Sequence, residues 1–158
     1  MKLSHRLLIA LIGCIAGSVY ASGFVVSGSV GRGIQVSPSV ASEPWNVMIT
    51  PGYGFLEDLL RIELGIAATF PDIAARNYDL QLRPMLMINP PVIPLYFKVI
   101  TAVGNLTTSP DFHFGGALGL GFSLLNFSVF VEGGYIPHLQ SGNLIHSIEP
   151  RAGVSLHF

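Results

Sequence analysis

Hydrophobic and polar residues alternate along much of this chain. In Leu60–Thr69, Leu60, Ile62, Leu64 and Ile66 share one face, while Arg61, Glu63, Gly65 and Ala67 share the other. A period of two is that of a β-strand with one apolar face. Tyr78–Arg83 sets Tyr78, Leu80 and Leu82 against Asp79, Gln81 and Arg83. Phe112–Ser123 sets Phe112, Phe114, Leu118, Leu120 and Phe122 against His113, Gly115, Ala117, Gly119, Gly121 and Ser123. At the C-terminus, Ala152, Val154, Leu156 and Phe158 oppose Arg151, Gly153, Ser155 and His157. Less regular runs at Gly23–Val36, Val47–Phe55, Leu95–Gly104 and Phe127–Ile136 complete a set of eight expected strands.

The expected connections are Ser37–Asn46, Leu56–Leu59, Phe70–Asn77, Asn89–Pro94, Asn105–Asp111, Leu124–Asn126 and Pro137–Ile145, long and short in turn. That asymmetry is expected of a transmembrane β-barrel with both termini in the periplasm, and a soluble sandwich has no reason for it. Strands of about 9–11 residues span a bilayer at the usual tilt. With this topology Phe24, Tyr53, Phe55, Phe97, Phe122, Phe127 and Phe158 fall near one end of the strands. Trp45, Phe70, Tyr78, Phe112, Phe114 and Tyr135 fall near the other. Two aromatic girdles flanking an apolar band are what amphipathic rings form at membrane interfaces. Only Tyr96 and Phe130 are left pointing inward.

Composition agrees. Half of the 158 residues are hydrophobic, and 11% are charged against about 25% in soluble domains. The apolar content excludes disorder, and a net charge of −1 without a basic cluster excludes nucleic-acid binding. Lys2 and Arg6, the uncharged run Leu7–Tyr20 and Val19-Tyr20-Ala21 form the three-part pattern of a secretory signal peptide, residues 1–21, cut after Ala21. An uncleaved anchor is the alternative. Cys14, the only cysteine, sits in a lipobox-like Leu11-Ile12-Gly13-Cys14, so lipidation there is a second alternative to removal with the leader. Without the leader, residues 22–158 form one barrel domain with six cations against nine carboxylates, a formal charge of −3.

These features together resemble the small eight-stranded bacterial outer-membrane barrels, such as the transmembrane domain of OmpA and the OmpX-like proteins. The resemblance is one of pattern over the whole mature chain. Its most specific element is the closing strand Val154-Ser155-Leu156-His157-Phe158, ending in a terminal phenylalanine. In that family the barrel-assembly machinery reads this end, so Val154, Leu156 and Phe158 are implied as the assembly signal and that machinery as a partner.

Some residues resist. Pro51, Pro84 and Pro150 fall inside expected strands, and a closed barrel has no free edge for them; each should mark a bulge or a strand end. Arg32 points to the lipid face unless a bulge at Gly31 or Gly33, or snorkelling, relieves it. Phe112–Val131 is uncharged and long enough for a membrane helix. However, four glycines dilute it, and period two beside charges in other strands favours the barrel.

The inward positions collect Arg61, Arg83, Lys98 and Arg151 against Glu63, Asp79, Glu132 and Glu149. Four charges of each sign imply a paired network filling the lumen, because a barrel of eight strands has room for side chains and none for an aqueous channel. His113, His138, His146, Ser147 and Glu149 fall near the rim away from the termini. A His–Ser–Glu set there resembles the outer-membrane lipid A deacylases in residue types, making His113, His146, Ser147 and Glu149 the catalytic candidates. Adjacent His146 and Ser147 point to opposite faces of one strand, and no spaced nucleophile motif is present. His138 and His146 lack metal-ligand spacing, so no metal or other cofactor is expected. The expectation is therefore a monomeric, all-β, up-and-down outer-membrane barrel in contact with lipid and lipopolysaccharide, with a structural or surface-interaction role. A rim lipid-modifying enzyme is the first alternative. A lateral route for small hydrophobic molecules, hinted at only by Pro51 and Pro84, is the second.

Overall fold

The structure, a computed structural model, describes residues 23–72, 77–91, 93–104, 106, 110–140 and 143–158. The expected signal peptide, residues 1–21, and Cys14 lie outside the described residues. Eight long strands form the wall: β1 Phe24–Ser37, β2 Ala41–Phe55, β3 Leu60–Asp72, β4 Asn77–Ile88, β5 Leu95–Gly104, β6 Asp111–Leu124, β7 Phe127–Tyr135 and β9 Asn143–His157. A ninth, β8 His138–Gln140, pairs only with the start of β9. Each wall strand is antiparallel to the next, and β1 pairs with β9, so the sheet closes without an edge. Phe112–Val131 lies in β6 and β7, which excludes the helical reading.

The alternation of the sequence becomes a wall turned inside out. Ile49, Ile62, Leu64, Ile66, Phe97, Val99, Leu118, Val131 and Leu156 are exposed on the outside. Ser27, Thr50, Arg61, Glu63, Lys98, Glu132 and Arg151 are buried within. Because side chains repeat every two residues, a slip of one position would reverse every strand, so this contrast fixes the register. Both expected girdles face outward, and all but the half-buried Phe70 among their residues are exposed.

The expected alternation of long and short connections is not found. Strands β1 and β2 run on beyond the apolar band, pairing Ile34 with Ser42 and Gln35 with Ala41, which leaves only 38–40 as the connection. The other connections, 56–59, 73–76, 89–94, 105–110 and 125–126, show no such alternation. Beyond the band neither face has to be apolar, so the ladder continues where the sequence pattern has stopped.

The prolines also differ from expectation. Pro51, Pro84 and Pro150 keep partners on one side, in Val26, Leu64 and Gly133. On the other side the ladder misses two positions and resumes in unchanged register: between Ile49↔Ile66 and Gly52↔Glu63, between Leu82↔Val103 and Met85↔Ile100, and between Gly31↔Arg151 and Ile34↔Ile148. None marks a bulge or a strand end; each withholds a donor locally, and intact hydrogen bonds on both flanks hold the register. The bulge near Arg32 lies instead on β2, between the Arg32↔Trp45 and Ile34↔Ser42 pairs. Arg32 itself faces outward, its guanidinium 5.4 Å from the Trp45 ring centre and its Nε donating to the Glu43 carbonyl at 3.1 Å.

Glycines make room for the two inward aromatic rings. A Cβ on Gly119 would lie 2.1 Å from Tyr96 Cζ, and one on Gly153 would lie 2.5 Å from Phe130 Cζ. Tyr96 cannot easily yield, because its hydroxyl donates to Glu132 Oε2 at 2.9 Å. Gly119→Ala is therefore expected to cost about 1–3 kcal/mol, as overpacking does. Urea titration of the folded band in detergent checks this. Combined with Tyr96→Ala, the two changes should cost clearly less than their sum; strict additivity would show that the ring and the glycine do not compete.

Candidate functional site

The interior is organised by one chain of ion pairs. It starts at the end that carries the termini, where Asp58 Oδ1 accepts from Arg61 Nε at 2.9 Å. Arg61 Nη1 meets Glu63 Oε1 at 3.4 Å, and Lys98 Nζ stands 3.1 Å from both Glu63 Oε2 and Glu132 Oε2. Arg151 links Glu132, at 3.7 Å from Nε, to Glu149. Glu149 Oε1 then accepts from Arg83 Nη1 at 2.9 Å. From Asp58 to Arg83 the sign alternates without interruption through eight groups, each at most 9% exposed.

Strand geometry explains the order. Arg61 and Glu63 are two apart on β3, and Glu149 and Arg151 are two apart on β9, so each pair shares the inward face. Glu132 and Arg151 are directly opposite across β7 and β9. Neutral polar groups complete the coordination. Asn46 joins Arg151 and Glu149, Ser29 Oγ accepts from Arg151 Nη1 at 2.9 Å, and Gln81 Oε1 accepts from Arg83 Nη2 at 2.9 Å. Lys98 Nζ also lies 5.2 Å from the Tyr96 ring centre and 5.4 Å from that of Phe130.

Seven of the eight residues expected in the lumen network belong to this chain. Asp58 is the chain's eighth member, while Asp79 stands opposite Thr69 in the β3–β4 ladder, towards the opposite rim. Asp58 was hidden from strand periodicity because it belongs to a turn. Leu56, Glu57 and Asp58 all adopt left-handed φ values of 52°, 58° and 64°. The turn folds the carboxylate back under the barrel, into space that Gly54 leaves open: a Cβ there would lie 2.3 Å from Asp58 Oδ1. The available signal was a turn carboxylate three residues before an inward arginine.

Beside the ion chain Met48, Ala67, Met85, Ile100 and Ala117 form an apolar cluster, with Ile136 packed against it. The void between cluster and chain has room for about one water molecule. At the end that carries the termini, Ser27 and Ser155 share a hydrogen bond of 2.8 Å, and Ser128 bonds His157 at 2.7 Å. The interior is thus suited to holding the wall together rather than to passing a solute.

The catalytic candidates are not assembled into one site. Ser147 faces inward and donates to Glu43 Oε1. His146 faces outward, stacked on Tyr135 with Nδ1 2.6 Å from the phenolic oxygen. Glu149 is occupied by Arg83 and Arg151. His113 stands on β6 with Nε2 3.0 Å from Asp111 Oδ2, and its ring centre is 5.2 Å from that of His138.

No family model matches the chain, and no curated protein matches it in sequence. Solved structures match it in fold. Neisserial surface protein A superposes with a TM-score of 0.62 at 17% identity, covering 87% of this chain and 98% of that one. The N-terminal β-barrel domain of Pseudomonas aeruginosa OprF superposes with a TM-score of 0.61 at 14% identity, covering 87% of this chain and all of that domain.

Replacing a middle link of the ion chain should be costly. Lys98→Met would leave Glu63 and Glu132 without the ammonium between them, and breaking a buried pair from one side costs about 3–5 kcal/mol. Lys98→Met with Glu132→Gln should recover part of the loss, because Glu63 keeps Arg61. Unfolding in detergent reads both, and a double variant no more stable than the single one would show that the links act independently.

Proposed function

We propose that this chain is an integral protein of the bacterial outer membrane, inserted with both termini on the periplasmic side. Its filled barrel acts there as a structural or surface-interaction element rather than a pore. One observation carries the reading: the wall turns its apolar rows outward between two aromatic girdles and keeps its linked charges inside. In water such an exterior is an aggregation surface; in lipid it is the required one, and a closed barrel leaves no strand edge unpaired in hydrocarbon. The fold shared with a Neisserial surface protein supports a place at the cell surface.

The two ends of the barrel support the orientation. At the end that carries the termini, Phe55 and Phe127 directly border the turns 56–59 and 125–126. At the other end, hairpins β1–β2 and β8–β9 project past Trp45 and Tyr135. Projecting hairpins suit the outer side, where lipopolysaccharide is the neighbouring chemistry. Val154, Leu156 and Phe158 form an exposed stripe along the closing strand, suited to recognition by the assembly machinery.

The alternatives gain no support from the geometry. His146 is turned away from Ser147, and Glu149 is held by two arginines, which disfavours a rim hydrolase. The ladder resumes in register past Pro51 and Pro84, which disfavours a lateral route.

The outer-membrane fraction, run boiled and unboiled on a denaturing gel, should show two mobilities for this chain. Purified protein in liposomes should release no entrapped small solute. Identical mobility together with extraction among inner-membrane proteins would sink the barrel, and solute release would sink the closed interior.

A further inference from the structure

We propose a divalent-metal site at the rim opposite the termini, formed by the imidazoles of His113 and His138 with Asp111 behind the first of them. His113 is nine-tenths buried, and its Nε2 lies 3.0 Å from Asp111 Oδ2. Its other nitrogen, Nδ1, is buried and has no hydrogen-bond partner. An imidazole with one nitrogen against a carboxylate and the other buried without a hydrogen-bond partner has the arrangement typical of a metal-ligating histidine, whose outer nitrogen is nearly always held this way. Buried polar atoms are rarely left without a partner, so Nδ1 calls for one.

The second ligand comes from a different part of the chain. After β7 the backbone breaks at Ile136-Pro137, and β8 packs against β6. This brings the His138 ring to 5.2 Å from that of His113, nearly perpendicular at 87°. Two imidazoles sharing one tetrahedral ion, each bound through nitrogen at the usual distance, have ring centres roughly 5 Å apart. The centre-to-centre spacing suits an ion shared by His113 Nδ1 and a ring nitrogen of His138. Gly104 keeps the neighbouring wall clear, since a Cβ there would lie 2.6 Å from Asp111 Oδ1 and 3.2 Å from His113 Nε2.

No group of three His, Cys, Asp or Glu among the described residues stands ready to hold a metal. The site therefore has two protein ligands and leaves the remaining positions to water or to a donor from outside. Imidazole pairs of this kind suit zinc, copper(II) or nickel(II) rather than calcium or magnesium.

Titration of untagged, folded barrel in detergent with zinc or copper(II), followed by calorimetry, is the test. One ion should bind per chain. His113→Gln and His138→Gln should each abolish binding, Asp111→Asn should weaken it roughly 10–100-fold, and His146→Gln should leave it unchanged. The boiled and unboiled gel shift verifies that each variant is folded. Copper(II) bound to the wild type should show an electron paramagnetic resonance spectrum with two nitrogen ligands. Failure of the wild type to bind below millimolar metal would overturn the proposal, as would equal binding by the His113 and His138 variants.

Discussion

The unbroken alternation of sign from Asp58 to Arg83 governs how the rest of the barrel is built. A carboxylate removed from water is tolerable only if a cation and hydrogen-bond donors replace the lost hydration. In a barrel of eight strands the interior is about as wide as opposed side chains, so those replacements must come from the facing wall. Pairs within β3 and β9 are therefore joined by pairs that bridge strands, and together they couple β3, β4, β5, β7 and β9 across the lumen. The result is an interior held by specific partners, where a soluble protein would use apolar packing.

This arrangement explains which residues the wall uses elsewhere. Inward aromatic rings need room beside the ion chain, so the inward rows of β6 and β9 include Gly119 and Gly153 where Tyr96 and Phe130 cross. Tyr96 in turn serves the ion chain, giving Glu132 a hydroxyl donor that Lys98 and Arg151 do not supply. The same support makes Pro51, Pro84 and Pro150 tolerable. A proline removes a donor from one seam only, and hydrogen bonds beyond the gap, with the cross-lumen pairs, hold the strands in step.

Period-two alternation, completed by four less regular runs, made the eight wall strands legible, along with the two girdles and seven of the eight linked charges, because each of these follows from which face a residue occupies. What remained hidden has a common cause: it depends on contacts that do not follow the strand period. Asp58 reaches the lumen through a left-handed turn, and nothing in its spacing from Arg61 sets that conformation. The hairpin of β1 and β2 continues past the apolar band, where hydrogen bonding alone sustains it and hydropathy carries no signal. Arg32 keeps its outward position because Trp45 and the Glu43 carbonyl receive it, a solution that depends on a bulge in the partner strand.

The rim histidines show the same limit from the side of function. His113 and His138 are far apart in sequence and on different strands, and no motif spacing links them. Only the break at Pro137, which lets β8 lean over β6, brings their rings together. The contrast with the interior is what gives the pair meaning. Along the ion chain each charged group is matched by one of opposite sign, so the wall has the means to satisfy what it buries. At the rim it orients an imidazole with a carboxylate and then leaves the inner nitrogen without a partner. A buried imidazole nitrogen without a hydrogen-bond partner, close to a second imidazole, is a donor arrangement suited to a metal ion.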